Sequence, residues 1–210
     1  MYDQYFALWY SKILAPWEGG IADRPPKADP GGLTNRGVTI AVWKEQAPKL
    51  FGIPGNENTL RQITKEQAIK IAYEVYWKFY AIDKISNPAI KILVADSVWG
   101  GGGYKSVGYP TGTYAQRAAQ INADSARNSG LFNTMLNRRV VYLKSLDNYE
   151  DNKNGWLNRL VYGDSTRASI LQLAKQGLNT TGAKVGLGVA GLVGLFFIGR
   201  AVYKSLNKTA

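Results

Sequence analysis

The sequence predicts a mainly α-helical protein with at most a small β-hairpin. Three observations carry that expectation. Phe6, Trp9, Ile13, Leu14 and Trp17 recur at helical spacing and give residues 4–17 one apolar face. Thr64 and Gln67 stand at the spacing of a capping box, which opens a helix. Asn87 precedes Pro88 and a largely apolar run over 89–99, the pattern of an N-cap with proline at the first helical position.

Taken in order, the first helix begins after Asp3, a suitable cap. Pro16 should loosen its last turn. Gly19 and Gly20 should supply the left-handed residue that stops it. A short hairpin is expected over 32–40. The next helix runs from Thr64 to about residue 80. Its aromatic residues Tyr73, Tyr76, Trp77, Phe79 and Tyr80 cover too much of the circumference for one cleft and read mostly as core. Residues 89–99 form a buried central helix, ended by the glycines at 100–103. Residues 104–112, rich in Gly and Tyr, read as a loop at a cleft rim. Further helices are expected over 113–123, 131–146, 154–162 and 166–176. No internal repeat is present.

Composition narrows the chemistry. A chain of 210 residues holds one ordinary domain and an extension. There is no Cys, so neither a disulfide framework nor a thiolate nucleophile is available. There is no His, which excludes a Ser-His triad and a His-ligated metal. No cofactor or metal is expected. The net charge is +11, concentrated in the second half, and no acidic residue follows Asp164. That charge suits an anionic envelope, whether wall polymer or lipid headgroups. It would suit nucleic acid too, but no readout motif is present, so nucleic acid is not an expected partner.

The C-terminal end reads separately. Residues 177–183 form a linker and 205–210 a basic tail. Between them, 185–199 carry no charge and are flanked by Lys184 and Arg200. Fifteen helical residues span about 23 Å, short of a bilayer core of about 30 Å, and snorkelling of the flanking cations makes up the difference. Residues 184–204 are therefore expected to be a transmembrane helix inserted in a lipid membrane. Gly182, Gly186, Ala190 and Gly194 recur every four residues, a stripe suited to helix–helix self-association or to packing on virion proteins. Gly186, Gly188 and Gly191 match a dinucleotide fingerprint, but no strand precedes them and no acid follows, which excludes that site. The N-terminus has no basic leader and is not a secretion signal.

The chemistry centres on Glu18. It follows Trp17 at the end of the first helix. An apolar neighbour disfavours an ionised carboxylate, and a general acid must hold its proton. Eleven residues later comes Asp29, followed by Pro30, Gly31, Gly32, Leu33 and Thr34. Gly31, Gly32 and Gly37 lack Cβ and let backbone approach a ligand closely. One acid in an apolar wall and another carboxylate in a polar, flexible segment form the pair that glycosidic cleavage uses. Asp23 is the rival second carboxylate.

The pattern Trp17-Glu18-Gly19-Gly20 with Asp29-Pro30-Gly31-Gly32-Leu33-Thr34 resembles glycoside hydrolase family 108, the peptidoglycan-cleaving lysozymes of bacteria and their phages. Thr64 to Ala68 with Tyr76 and Trp77, Ile92 to Trp99, Phe132 to Leu143, and Gly155 to Arg159 resemble later segments of the family. Ile21 and Arg36 stand where the family usually has aromatic residues, and Gly100 where an Asn is expected. The resemblance implies an α+β lysozyme-like fold and Glu18 as proton donor. The spacing Glu18, Asp29, Thr34 also resembles the acid, carboxylate and threonine order of phage-type lysozymes. That resemblance implies Asp29 as the residue that stabilises positive charge at C1 or activates a water, with Thr34 helping to hold that water. Trp17, Gly31, Gly32, Asn35, Asp96 and Tyr104 are the expected substrate contacts. Residues 1–110 would form the catalytic region and 111–176 a shortened wall-binding extension. Expected, then, is a membrane-anchored peptidoglycan muramidase of phage lysis or virion entry, its catalytic domain facing the cell wall. A lytic transglycosylase and a non-catalytic lysozyme-like virion protein are the alternatives.

Overall fold

A computed structural model of the chain describes residues 2–23 and 32–178. The fold is helical with one two-stranded sheet. The expected anchor at 184–204, most of the linker and the tail lie outside the described residues. Among the described residues no helix is long and apolar enough to cross a membrane.

Helix α1 covers residues 4–17. The Asp3 carboxylate accepts from the N–H groups of Tyr5 and Phe6, as its capping role requires. The helix widens to π geometry over Trp9–Leu14, and Ala15 N–H reaches back five residues to Tyr10 O. The wide turn immediately precedes Pro16, which has no N–H to offer and whose ring crowds the carbonyl four residues back. Phe6, Trp9, Ile13 and Leu14 are buried, so the predicted face is the real one. The helix ends differently from expectation. Neither Gly19 nor Gly20 takes a left-handed φ. Glu18 itself leaves the helix in extended geometry (φ −89°, ψ 105°), its N–H still bonded to Leu14 O.

The hairpin falls where it was expected. Strands β1 (Thr34–Asn35) and β2 (Val38–Thr39) pair antiparallel, Thr34 opposite Thr39 and Asn35 opposite Val38. The two residues between them, Arg36 (φ 51°) and Gly37 (φ 74°), are both left-handed, the type I′ geometry whose twist matches the strands. Ala22 pairs with Thr34 through two 2.8 Å backbone bonds, which lays the segment after Glu18 alongside the hairpin.

Helix α2 (Ile40–Phe51) was not foreseen. Thr39 caps it and Gly52, at φ 65°, ends it. It buries Trp43 and Ala47 against Leu33, Val38, Leu60, Ile63, Ala68 and Ile71, a small core of its own. Helix α3 (Glu57–Arg61) follows. Helix α4 (residues 65–78) opens with the predicted capping box of Thr64 and Gln67 and turns π over Ala72–Lys78.

Helix α5 (Pro88–Trp99) is the centre of the molecule, with residues 88–98 all buried. Around it pack α1, α4, α6 (Gly103–Ser106), α7 (Tyr114–Arg127), α8 (Leu131–Lys144), α9 (residues 149–162) and α10 (Ile170–Lys175). The segment expected as a loop at 104–112 thus begins with a helical turn. The large core runs continuously from Phe6 to Ala174, so the segment 111–176 shares its interior with the first hundred residues.

Candidate active site

Glu18 sits where α1, the hairpin, α5 and α9 meet. Its Oε1 accepts from two donors, Trp99 Nε1 at 3.2 Å and Arg159 Nη1 at 3.1 Å. Oε2 lies over the bare α-carbon of Gly37. A Cβ at Gly37 would stand 2.9 Å from that oxygen and 2.7 Å from Trp99 Cζ2. The left-handed turn residue is therefore required twice, by its φ and by the carboxylate beside it.

Arg159 is fixed from behind. Its Nε lies 2.9 Å from Oδ1 of Asp96, a charge contact without the alignment of a hydrogen bond. Asp96 is only 1% exposed, and the Arg159 side chain is 10% exposed. A second buried guanidinium, Arg139, donates to Gly101 O at 2.6 Å and to Gly100 O at 3.2 Å. Burial pulls Arg139 down to about 10, against the opposite pull of Asp96. Both arginines crowd Gly100, where a Cβ would stand 2.8 Å from Arg159 Nη2. The absence of a side chain at Gly100 leaves room for these two cations.

On its open side Glu18 faces a cavity of about 470 Å³ lined by Gly19, Gly20, Ile21, Asn35, Arg36 and Arg61 to Ile63. Gly19 and Gly20 would meet nothing if given a Cβ, so they form a bare floor.

The expected contacts distribute unevenly around this centre. Asn35 lines the cavity, but its amide donates to Leu60 O and Arg61 O and ties the hairpin to the end of α3. Thr34 is half-buried in β1, its hydroxyl donating to Gly32 O at 3.2 Å. Trp17 stacks on Arg167, its ring centroid 3.8 Å from the guanidinium. Asp96 is too buried to touch a substrate and serves Arg159 instead. Tyr104 is a core residue, 1% exposed, its hydroxyl donating to Tyr80 O; burial pushes it well above the ordinary tyrosine range. Asp29 and Gly31 lie outside the described residues. Asp23 is paired with Arg61 at 3.1 Å.

Arg159, Trp99 and Gly37 were missed as partners of Glu18. A signal existed for the first: one carboxylate in the apolar run 89–99 demands a buried cation elsewhere.

Residues 11–102 match the sequence model of the family glycosyl hydrolase 108. The matched stretch contains Glu18, the hairpin, Asp96 and Trp99, and stops short of Arg159. A solved structure, described as the structure of Brucella abortus SagA, is similar over 82% of this chain and 93% of that one, with a TM-score of 0.59 at 22% identity. That similarity establishes a shared fold. A search of curated proteins returned no match.

Proposed function

We propose that this protein is a glycosyl hydrolase of family 108, a lysozyme-like peptidoglycan muramidase with Glu18 as its general acid. The observation that carries the reading is the placement of Glu18: a single carboxylate, cradled by two donors, at the wall of an open cavity within the family-matched stretch.

The geometry suggests how the acid works. Oε1 is occupied by Trp99 and Arg159, so the transferable proton belongs on Oε2. Proton transfer to the glycosidic oxygen leaves a carboxylate, and Arg159 and Trp99 already point at the charge that develops. They need no reorganisation, because Asp96 and the α5 backbone hold them. A second group must then stabilise C1 or deliver water. Asp29 is proposed for it, with Thr34 supporting, since Asp23 is engaged by Arg61. On sequence alone, the uncharged segment within 184–204 makes membrane attachment part of the proposal, with lysis or virion entry as its setting. Fractionation of the full chain against a chain ending at residue 178 tests that part.

The test of the activity is digestion of purified peptidoglycan by the full chain, wild type beside Glu18→Gln, with mass spectrometry of the products. Reducing muropeptides from wild type alone support the proposal. Anhydro-sugars move it to lytic transglycosylases. No product on several wall types sinks the enzyme reading.

A further inference from the structure

Arg36 occupies an unusual place. It is the first residue of the type I′ turn between β1 and β2, with φ 51°, a conformation that favours Asn, Asp or Gly. Nothing in the turn calls for a long cationic side chain there. Its Nε donates to Ile63 O at 3.2 Å, which fixes the direction of the guanidinium. Among the described residues neither terminal nitrogen has a hydrogen-bond or ion-pair partner. Glu66 and Tyr10 lie within electrostatic range of it, neither at bonding distance. Arg36 lines the same cavity as Glu18, and Arg61, half engaged by Asp23, lines it too.

Strained backbone kept at a cavity wall is a mark of function, and a fixed guanidinium with free terminal nitrogens is a fork for a carboxylate. We propose that Arg36, assisted by Arg61, is a carboxylate-binding subsite that recognises the acidic group attached to the muramyl sugar. The proposal rests on the peptidoglycan reading above and sharpens it. A glycan of N-acetylglucosamine alone carries no such group; peptidoglycan carries it as the lactyl carboxylate of an unsubstituted muramyl residue or as a carboxylate of the attached peptide. The subsite thus selects wall glycan over neutral chitin-like glycan.

The test is cosedimentation with purified sacculi, using full-length Glu18→Gln as parent so that binding is read without turnover. Arg36→Asn places the preferred residue in the turn and removes the cation. It is expected to bind intact sacculi about tenfold more weakly than the parent, the usual weight of a charge-assisted contact. Its melting temperature should hold or rise. Sacculi whose carboxyl groups have been converted to amides should lose about tenfold with the parent and little with Arg36→Asn. Lys105→Gln, which removes an equal charge from an exposed site on α6, should change binding less than twofold. Soluble glycan strands freed of peptide, which carry lactyl carboxylates, separate the two sources in a direct binding titration: an Arg36 effect there shows that the lactyl carboxylate suffices, and its absence assigns the peptide carboxylate. Equal binding by Arg36→Asn and parent, equal loss of both on amidated sacculi, an equal loss with Lys105→Gln, or a lowered melting temperature each overturn the subsite. Absence of products from wild-type digestion is a separate result, bearing on Glu18 and not on this binding.

Discussion

Arg159 Nη1 lies 3.1 Å from Glu18 Oε1, joining residues 141 positions apart. The contact closes a chain of charges from the cavity wall to the centre of the molecule: Glu18, Arg159, Asp96. Arg159→Ala would leave Asp96 buried without its ion partner, at a cost of about 3–5 kcal/mol. Arg159→Lys keeps a cation but lacks the fork that reaches both acids. It is expected to remain folded and to lose about 10²-fold in kcat, the usual consequence of a misplaced catalytic group. Thermal melts beside turnover of peptidoglycan separate the two effects.

Asp96→Asn should reproduce the Arg159→Lys loss without adding to it, because both act through the orientation of one guanidinium. A double-mutant cycle reads this directly. Full additivity would show that Asp96 acts on something other than Arg159.

Gly37→Ala pushes a methyl against both Glu18 Oε2 and the Trp99 ring and strains a left-handed turn. A stability loss of about 1–2 kcal/mol is expected from the backbone alone, and activity should fall further than stability does. Gly20→Ala makes the opposite case. Its Cβ meets no protein atom and its φ is not left-handed, so stability should hold or rise by about 0.4–1 kcal/mol. If the glycan lies on that floor, kcat/KM falls all the same; unchanged kcat/KM would place the substrate elsewhere.

Alkaline stability follows from buried tyrosines. Burial pushes Tyr76 up to about 12 and raises Tyr104 and Tyr109 further. The folded state keeps protons that the unfolded chain releases from about pH 10. The contribution is therefore complete below pH 10 and is lost as pH rises through the folded values. Arg139, depressed to about 10, works in the opposite sense but is one group against three. In a spectrophotometric titration, a fraction of the 13 tyrosines should ionise only together with loss of the helical circular dichroism signal. Smooth ionisation of all of them without unfolding would contradict this assignment.

Much of this architecture was legible in the residues. Helix α1, the boxed start of α4, the proline-led α5 and the hairpin each announce themselves through period, cap or turn chemistry within a few positions. Helix α2 did not, because Pro48 interrupts its pattern and its buried face shows little beyond Trp43 and Ala47. Tyr104 was misplaced because glycines surround it. In the fold those glycines let the chain turn tightly enough to press Gly102 against Tyr142 and bury Tyr104. The position of Glu18 at a helix end beside glycines was readable. Its cradle was not. A contact across 141 residues leaves no local trace, and neither does the stacking of Trp17 on Arg167.

The larger core, which runs from Phe6 to Ala174, sets an order of events during synthesis. A ribosome delivers Glu18 early and Arg159 late. Until α9 emerges and docks, a nascent chain presents a carboxylate without the cation that fixes it and without the helices that close the hydrophobic centre. That contact arrives with the last quarter of the described fold, and a chain interrupted before residue 159 carries Glu18 without the cation that holds it.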